Sequence, residues 1–163
     1  MEYFYQVNKR DQGGPLAQLI GRSDFTLFPV AGYLVNGRPD SVALLYFLFF
    51  YPFAQAHLGA NDIIDVENDE VRGLKTIPLL YGTRGTVYWI HFFTLLHLVG
   101  AYLFVGVHEL IATYGIVIGV LLLLCANVMI MKGRSPSDWL KALPFFHLAM
   151  LAYVASMIID YFI

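Results

Sequence analysis

Charge is scarce in this chain. Asp, Glu, Lys and Arg make up 13% of its 163 residues, where a soluble domain carries roughly 25%. Hydrophobic residues fill 58% and aromatics 16%, more apolar side chain than the interior of so small a domain can hide, which excludes a water-soluble globule. The net charge of −2 and the lack of any basic tract exclude a nucleic-acid partner. There is one cysteine, Cys125, inside an apolar run; it offers neither a disulfide nor a CxxC metal site and reads as a small packing residue. The polar start "MEYFYQVNKRDQGG" contains no apolar stretch ahead of a small-residue cleavage site, so no cleavable signal is visible and insertion relies on internal spans. Internal repeats and low-complexity tracts are missing too. The apolar runs are long and do not alternate with polar residues, which excludes barrel strands.

What remains is a set of runs long enough for a bilayer, each needing about 20 mostly apolar residues. Five qualify: about 15–35, 41–60, 86–107, 110–131 and 142–163. The first is interrupted by Arg22 and Asp24. The breaks between runs, "NGRPD", the acidic stretch continuing to Gly85, "HEL" and "KGRSPSDWLK", carry the Gly, Pro, Asn and charge that end helices. The expected fold class is therefore all-α, a polytopic transmembrane helix bundle in a single membrane domain over residues 1–163. Lys9, Arg10, Arg72, Lys75, Arg84, Lys132, Arg134 and Lys141 fall on one side of this topology, Arg38 alone falls on the other, and Arg22 lies within the first run. By the positive-inside rule the N-terminus and the acidic loop face the cytoplasm.

The acidic loop is the one concentration of charge, "NDIIDVENDE" at 61–70. If the second helix continues through it at about 100° per residue, Asn61, Asp62, Asp65, Asn68, Asp69 and Arg72 share one face about 120° wide. Glu67, Glu70, Ile63, Val66 and Val71 point elsewhere. Three carboxylates on one face repel one another unless a cation lies among them. Hard oxygen donors in this number suit Mg²⁺, which binds through one or two carboxylates plus substrate phosphates. Arg72 and Lys75 then pair with remaining phosphate charge. Spacing alone leaves two readings open: a magnesium diphosphate site, or a solvated acidic loop that caps a transmembrane helix. Two other Asp-rich chemistries fail. The tail of the membrane CDP-alcohol phosphotransferase pattern is present in Asp65 and Asp69, but no D-G-x-x-A-R precedes it. An EF-hand loop begun at Asp62 would have Glu67 where Gly is required and Gly73 where Glu is required.

"NDIIDVENDEVRGLKTIPLLYG" resembles the second aspartate-rich motif of the UbiA superfamily of intramembrane prenyltransferases, N-D-x-x-D-x-E-x-D followed by a Gly, a Thr and a second Gly, here Gly73, Thr76 and Gly82. "YQVNKR" agrees, with Tyr5 and Lys9 in the family's YxxxK spacing. The resemblance covers essentially the whole chain but only the C-terminal half of a family member. It implies the last five helices of a nine-helix bundle, in which two Asp-rich motifs face each other and hold Mg²⁺ on the diphosphate of a polyprenyl donor. It implies that Asp65 and Asp69, with Asp62 next, contact the metal; that Asn61, Lys9, Arg72 and Lys75 contact the diphosphate; and that Tyr5 positions the donor. An aromatic or alcohol acceptor would be alkylated through a carbocation-like transition state, which aromatic side chains can stabilise.

The family's first motif has no counterpart in this sequence. The expectation is half of a prenyltransferase, its other half on a longer or second chain that supplies the first motif. The competing expectation is a non-catalytic membrane subunit that keeps one diphosphate–magnesium half-site. Arg22 and Asp24 either pair within the membrane, reach the cavity, or sit at its interface. His57, His91, His97 and His147 lack metal-ligand spacing and read as core or interface histidines.

Overall fold

The computed structural model describes residues 2–163, and the side chains of all of these except residues 2–6 and 36. It contains α-helices and no strand among the described residues: α1 (Glu2–Asp11), α2 (Leu16–Gly21), α3 (Ser23–Asn36), α4 (Ser41–Ile64), α5 (Val66–Val71), α6 (Ile77–Val105), α7 (Leu110–Lys132), α8 (Pro136–Leu140) and α9 (Leu143–Phe162). Four stretches are long and apolar enough to cross a bilayer: α4, α6, α7, and α8 with α9 as the run Pro136–Phe162. They make the chain a multi-pass membrane protein. The run expected over 15–35 is not one helix. It divides into α2 and α3 at Arg22, and α3, at 14 residues, rises only about 21 Å.

Packing follows from where small residues lie. Gly115 and Gly119 on α7 form a G-x-x-x-G face, the pattern that lets two membrane helices approach closely. A Cβ at Gly119 would collide with the Tyr153 ring of α9, and one at Gly115 with Ser156. The α4–α6 contact is similarly close at Gly100, where a Cβ would stand 2.7 Å from the Leu48 carbonyl oxygen. Large apolar side chains such as Phe92, Leu95, Tyr102, Val117, Leu121 and Leu151 remain exposed on the outer faces, as lipid contact requires.

One polar junction ties three of the spanning helices together in the core. His97 on α6 is fully buried. Its Nδ1 is 2.8 Å from the Phe49 carbonyl of α4 and its Nε2 is 2.9 Å from the Tyr153 hydroxyl of α9. A carbonyl only accepts, so Nδ1 carries the proton, and Nε2 of the neutral ring accepts from the tyrosine. At the ends, Asp160 of α9 accepts from the backbone N–H groups of Glu109, Ile111 and Ala112, which otherwise lack partners at the start of α7. Asp40 does the same for Val42 and Ala43 of α4 while accepting from the Tyr33 hydroxyl. The Ala43 amide, with help from Tyr33 and Val42, holds this exposed carboxyl below the usual carboxylate range.

Tyr153→Phe removes one partner of a buried imidazole and should lower stability by about 1–3 kcal/mol, whereas adding His97→Leu should recover part of the loss because no orphaned donor or acceptor is then left. Thermal unfolding of the detergent-solubilised variants checks this.

Candidate functional site

The carboxylates sit where α4 leaves the apolar layer. The helix bends at Asp65, whose φ of −93° and ψ of 10° lie outside the helical well, so α4 and α5 are not one straight rod. The ladder nevertheless continues on both sides, from the Asp65 amide to the Asn61 carbonyl and from the Asp69 amide to the Asp65 carbonyl. Asp62 and Asp69, seven residues or two turns apart, both face inward, each with 5% of its surface exposed. Asp65, at the bend, is exposed, as are Glu67, Asn68, Glu70 and Arg72. Burial thus divides the predicted face, with two Asp inside and the third at the rim.

Asp62 is the centre of the site. One of its oxygens, Oδ2, is buried without a hydrogen-bond partner among the described residues. The charges around it are Lys9, Asp69 and Arg22, and the Ile77 backbone N–H is directed at it. Lys9 is 92% buried, with 8% exposed, unusual for a lysine unless it meets negative charge. Arg22 occupies the break between α2 and α3, and its Nε is also buried without a partner, as are Thr76 Oγ1 and Gln55 Oε1. Gln55, Asp62 and Asp69 repeat every seven residues, which places Gln55 on the same face two turns deeper. A fully formed protein interior leaves few such atoms unsatisfied; these four gather toward the Asp-rich end of the bundle, while two others, on His91 and His108, lie further along α6 and past its end.

The backbone beyond the acidic stretch is what presents these groups. Gly73 takes φ +66°, and the Leu74 amide reaches back to the Asp69 carbonyl at 2.9 Å and the Gly73 amide to Glu70 at 3.0 Å. This left-handed stop ends α5 and turns the chain back on itself. The returning strand of backbone is then captured by the N-terminal elements. The Lys75 amide donates to the Lys9 carbonyl at 2.7 Å, and the Lys75 carbonyl accepts from Gln12 and Gln18 at 2.7 and 3.0 Å. Gln55 in turn donates to the Gln18 carbonyl at 3.0 Å, and Tyr51 to that of Leu19 at 2.8 Å. Gly82, with φ 69° and ψ 176°, then kinks α6 just after its first turn. Both glycines lie in the positive-φ region that favours glycine.

The structure therefore brings together Asp62, Asp69 and Lys9 of the expected residues. It leaves Asp65, Arg72 and the Lys75 side chain at the exposed rim, with the Lys75 backbone in the clamp just described. Asn61 turns away: its Nδ2 donates to the carbonyl of His57 at 3.0 Å. Tyr5 lies on α1, one turn before Lys9, but its side chain is outside the described ones. Sequence reasoning missed Gln12, Gln18, Gln55 and Thr76 as site-builders. Gln55, two turns before Asp62 in an apolar run, was the one with a readable signal. Arg22 reaches the site, while Asp24 turns back to the Phe25 amide.

The donor set is of hard oxygens. Among the described residues no three His, Cys, Asp or Glu side chains stand close enough to enclose an ion. Two buried carboxylates that leave other positions to water and phosphate fit the coordination habit of Mg²⁺. An apolar cavity of about 700 Å³ lies elsewhere, between α3, α4 and the end of α9, lined by Tyr33, Tyr46, Phe50, Met157 and neighbouring residues. It is roomy and apolar but far from the carboxylates, and none of them lines it.

Compared with known families, residues 3–158 match the model of the UbiA prenyltransferase family. No curated protein and no solved structure gives a significant match to the chain.

Forcing Ala into the left-handed position at Gly73 should cost about 1–2 kcal/mol and loosen the clamp behind it. The check is amide hydrogen exchange, in which the Lys75 N–H of Gly73→Ala should exchange faster than that of the unaltered chain while amides in the middle of α7 do not change.

Proposed function

The chain belongs to the UbiA prenyltransferase family, and on that footing we propose that it binds the diphosphate of a polyprenyl donor together with Mg²⁺ at Asp62 and Asp69, for transfer of the prenyl group to a lipophilic aromatic or alcohol acceptor. The observation that carries the reading is the buried, partnerless oxygen of Asp62 beside a second buried carboxylate. Two buried like charges are costly unless opposite charge lies between or beside them, and a bound cation adds to what Lys9 and Arg22 supply.

In this reading Asp62 and Asp69 hold the ion from inside and Asp65 from the rim. The metal, when bound, neutralises the diphosphate and makes it a better leaving group. Lys9 and Arg22 grip phosphate oxygens from below, and Arg22 brings a planar fork suited to that geometry. Arg72 and Lys75, exposed above, attract the anion and close over it, and Asn61 contacts the diphosphate through water. Tyr5, one turn from Lys9, positions the donor. The isoprenoid tail runs along α4 toward the apolar cavity near Phe50, about 18 Å away by helix rise. Aromatic side chains along that path offer π faces to developing positive charge. The excess of Lys and Arg on the loops beside the carboxylates orients the site toward the cytoplasm. Further carboxylates facing Asp62, from another segment or a second chain, complete the clamp for transfer.

Binding of radiolabelled farnesyl diphosphate to the detergent-solubilised chain, with and without MgCl₂, tests this. Asp62→Asn and Asp69→Asn should each weaken the Mg²⁺-dependent component by about tenfold or more, as loss of a charged metal contact does, while Glu67→Gln should change it by less than about twofold. Equal losses at all three positions, or binding indifferent to Mg²⁺, would remove the basis of the proposal.

A further inference from the structure

From Ile77 onward, the charge at the Asp-rich end of the bundle is almost all of one sign. The acids of this half of the chain are Glu109, Asp138 and Asp160. Glu109 and Asp160 meet at the opposite end, where Asp160 caps the start of α7. Asp138 is committed to Lys141, the Ser135 hydroxyl and the Arg134 amide. Arg84, Lys132 and Arg134 are exposed, and among the described residues none of their side chains makes an ion pair or a hydrogen bond.

Helix register brings these three to one rim. α6 starts at the Asp-rich end and α7 returns to it. Between them His91 Nδ1 stands 2.6 Å from Asn127 Oδ1, and Asn127 Nδ2 donates to Thr94 Oγ1 at 2.9 Å. Arg84 precedes His91 by two turns, about 10.5 Å nearer the Asp-rich end and on the same face of α6. Lys132 ends α7 about 7.5 Å beyond Asn127, and Arg134 follows the cap at Gly133. Below this rim the outer flank of the seam is apolar and exposed, with Tyr88, Phe92 and Leu95 on α6 and Leu124, Val128 and Met131 on α7. Each lies about 40–100° around its helix from His91 or Asn127, and for antiparallel helices that rotation puts both stripes on the same side.

We infer that Arg84, Lys132 and Arg134 form a headgroup site for an anionic phospholipid of the leaflet at the Asp-rich end. Two guanidinium groups offer forks for phosphate oxygens, and the lysine adds a point charge. A lipid held there lays an acyl chain along the stripe from Tyr88 to Leu95, about 10 Å of helix rise within a half-bilayer of about 15 Å. Tyr88, 72% exposed one turn below Arg84, lies where an aromatic ring with a polar tip favours the headgroup boundary. The apolar flank decides for a lipid over a soluble phosphate, which would gain nothing from it. Basic clusters at the end of membrane helices attract anionic lipids, and here no neighbouring carboxylate is free to compete. The site is separate from the carboxylates of α4 and α5 and calls for no metal.

The test is native mass spectrometry of the full chain in detergent, exposed to equimolar phosphatidylglycerol and phosphatidylcholine. The singly bound phosphatidylglycerol adduct should exceed the phosphatidylcholine adduct by about tenfold or more. Arg84→Gln and Arg134→Gln should each cut that excess by about fivefold, while Arg38→Gln, exposed at the opposite end, leaves it unchanged. Millimolar inorganic phosphate should not displace the lipid. Equal adducts of the two lipids on the unaltered chain, or displacement by phosphate, would overturn the site. So would an undiminished excess in Arg84→Gln and Arg134→Gln, exposed positions whose side chains hold no part of the fold together.

Discussion

Two carboxylates held inside the end of a membrane helix impose the constraint around which this protein is arranged. Asp62 and Asp69 are nearly as buried as the phenylalanines of the core, and charge removed from water is tolerated only where other charge or hydrogen bonds replace the lost hydration. The chain meets that requirement from several directions. Lys9 arrives on α1, Arg22 comes from the break between α2 and α3, and the Ile77 amide comes from the start of α6. None of these would reach Asp62 without the left-handed stop at Gly73, which folds the returning backbone into the grip of Lys9, Gln12 and Gln18.

The membrane part of the bundle makes that arrangement rigid. His97 bonds to both α4 and α9, and the small residues of α7 let α9 approach within side-chain contact. A site assembled from four separate elements needs a support whose own helices cannot slide. Interhelical hydrogen bonds in hydrocarbon each add modest stability, but they fix register, because a slipped helix would leave a buried polar group unpaired.

Much of this was legible in the sequence, and the reasons differ by feature. Long apolar runs announce spanning helices because only a helix satisfies its own backbone in lipid. The acidic face was legible because the three Asp and two Asn repeat at helical spacing. The angular count assumed a straight helix, however, and so could not see the bend at Asp65, which puts that residue at the rim and leaves Asp62 and Asp69 as the buried carboxylates. The run over 15–35 looked like one span by composition, yet Arg22 splits it and uses the break to enter the site. Gln18 and Gln55 were invisible as partners because they lie 37 residues apart and only the fold brings them together.

The account stands or falls on whether a metal ion and a diphosphate meet at Asp62. The most direct measurement is anomalous diffraction from crystals of the full chain grown with Mn²⁺ in place of Mg²⁺ and a non-hydrolysable prenyl thiolodiphosphate. The account predicts an anomalous peak within coordination distance of the Asp62 and Asp69 carboxylates, with diphosphate density between that ion and the Lys9 and Arg22 side chains. Density for the diphosphate away from these residues, or a bound manganese that neither carboxylate touches, would contradict it.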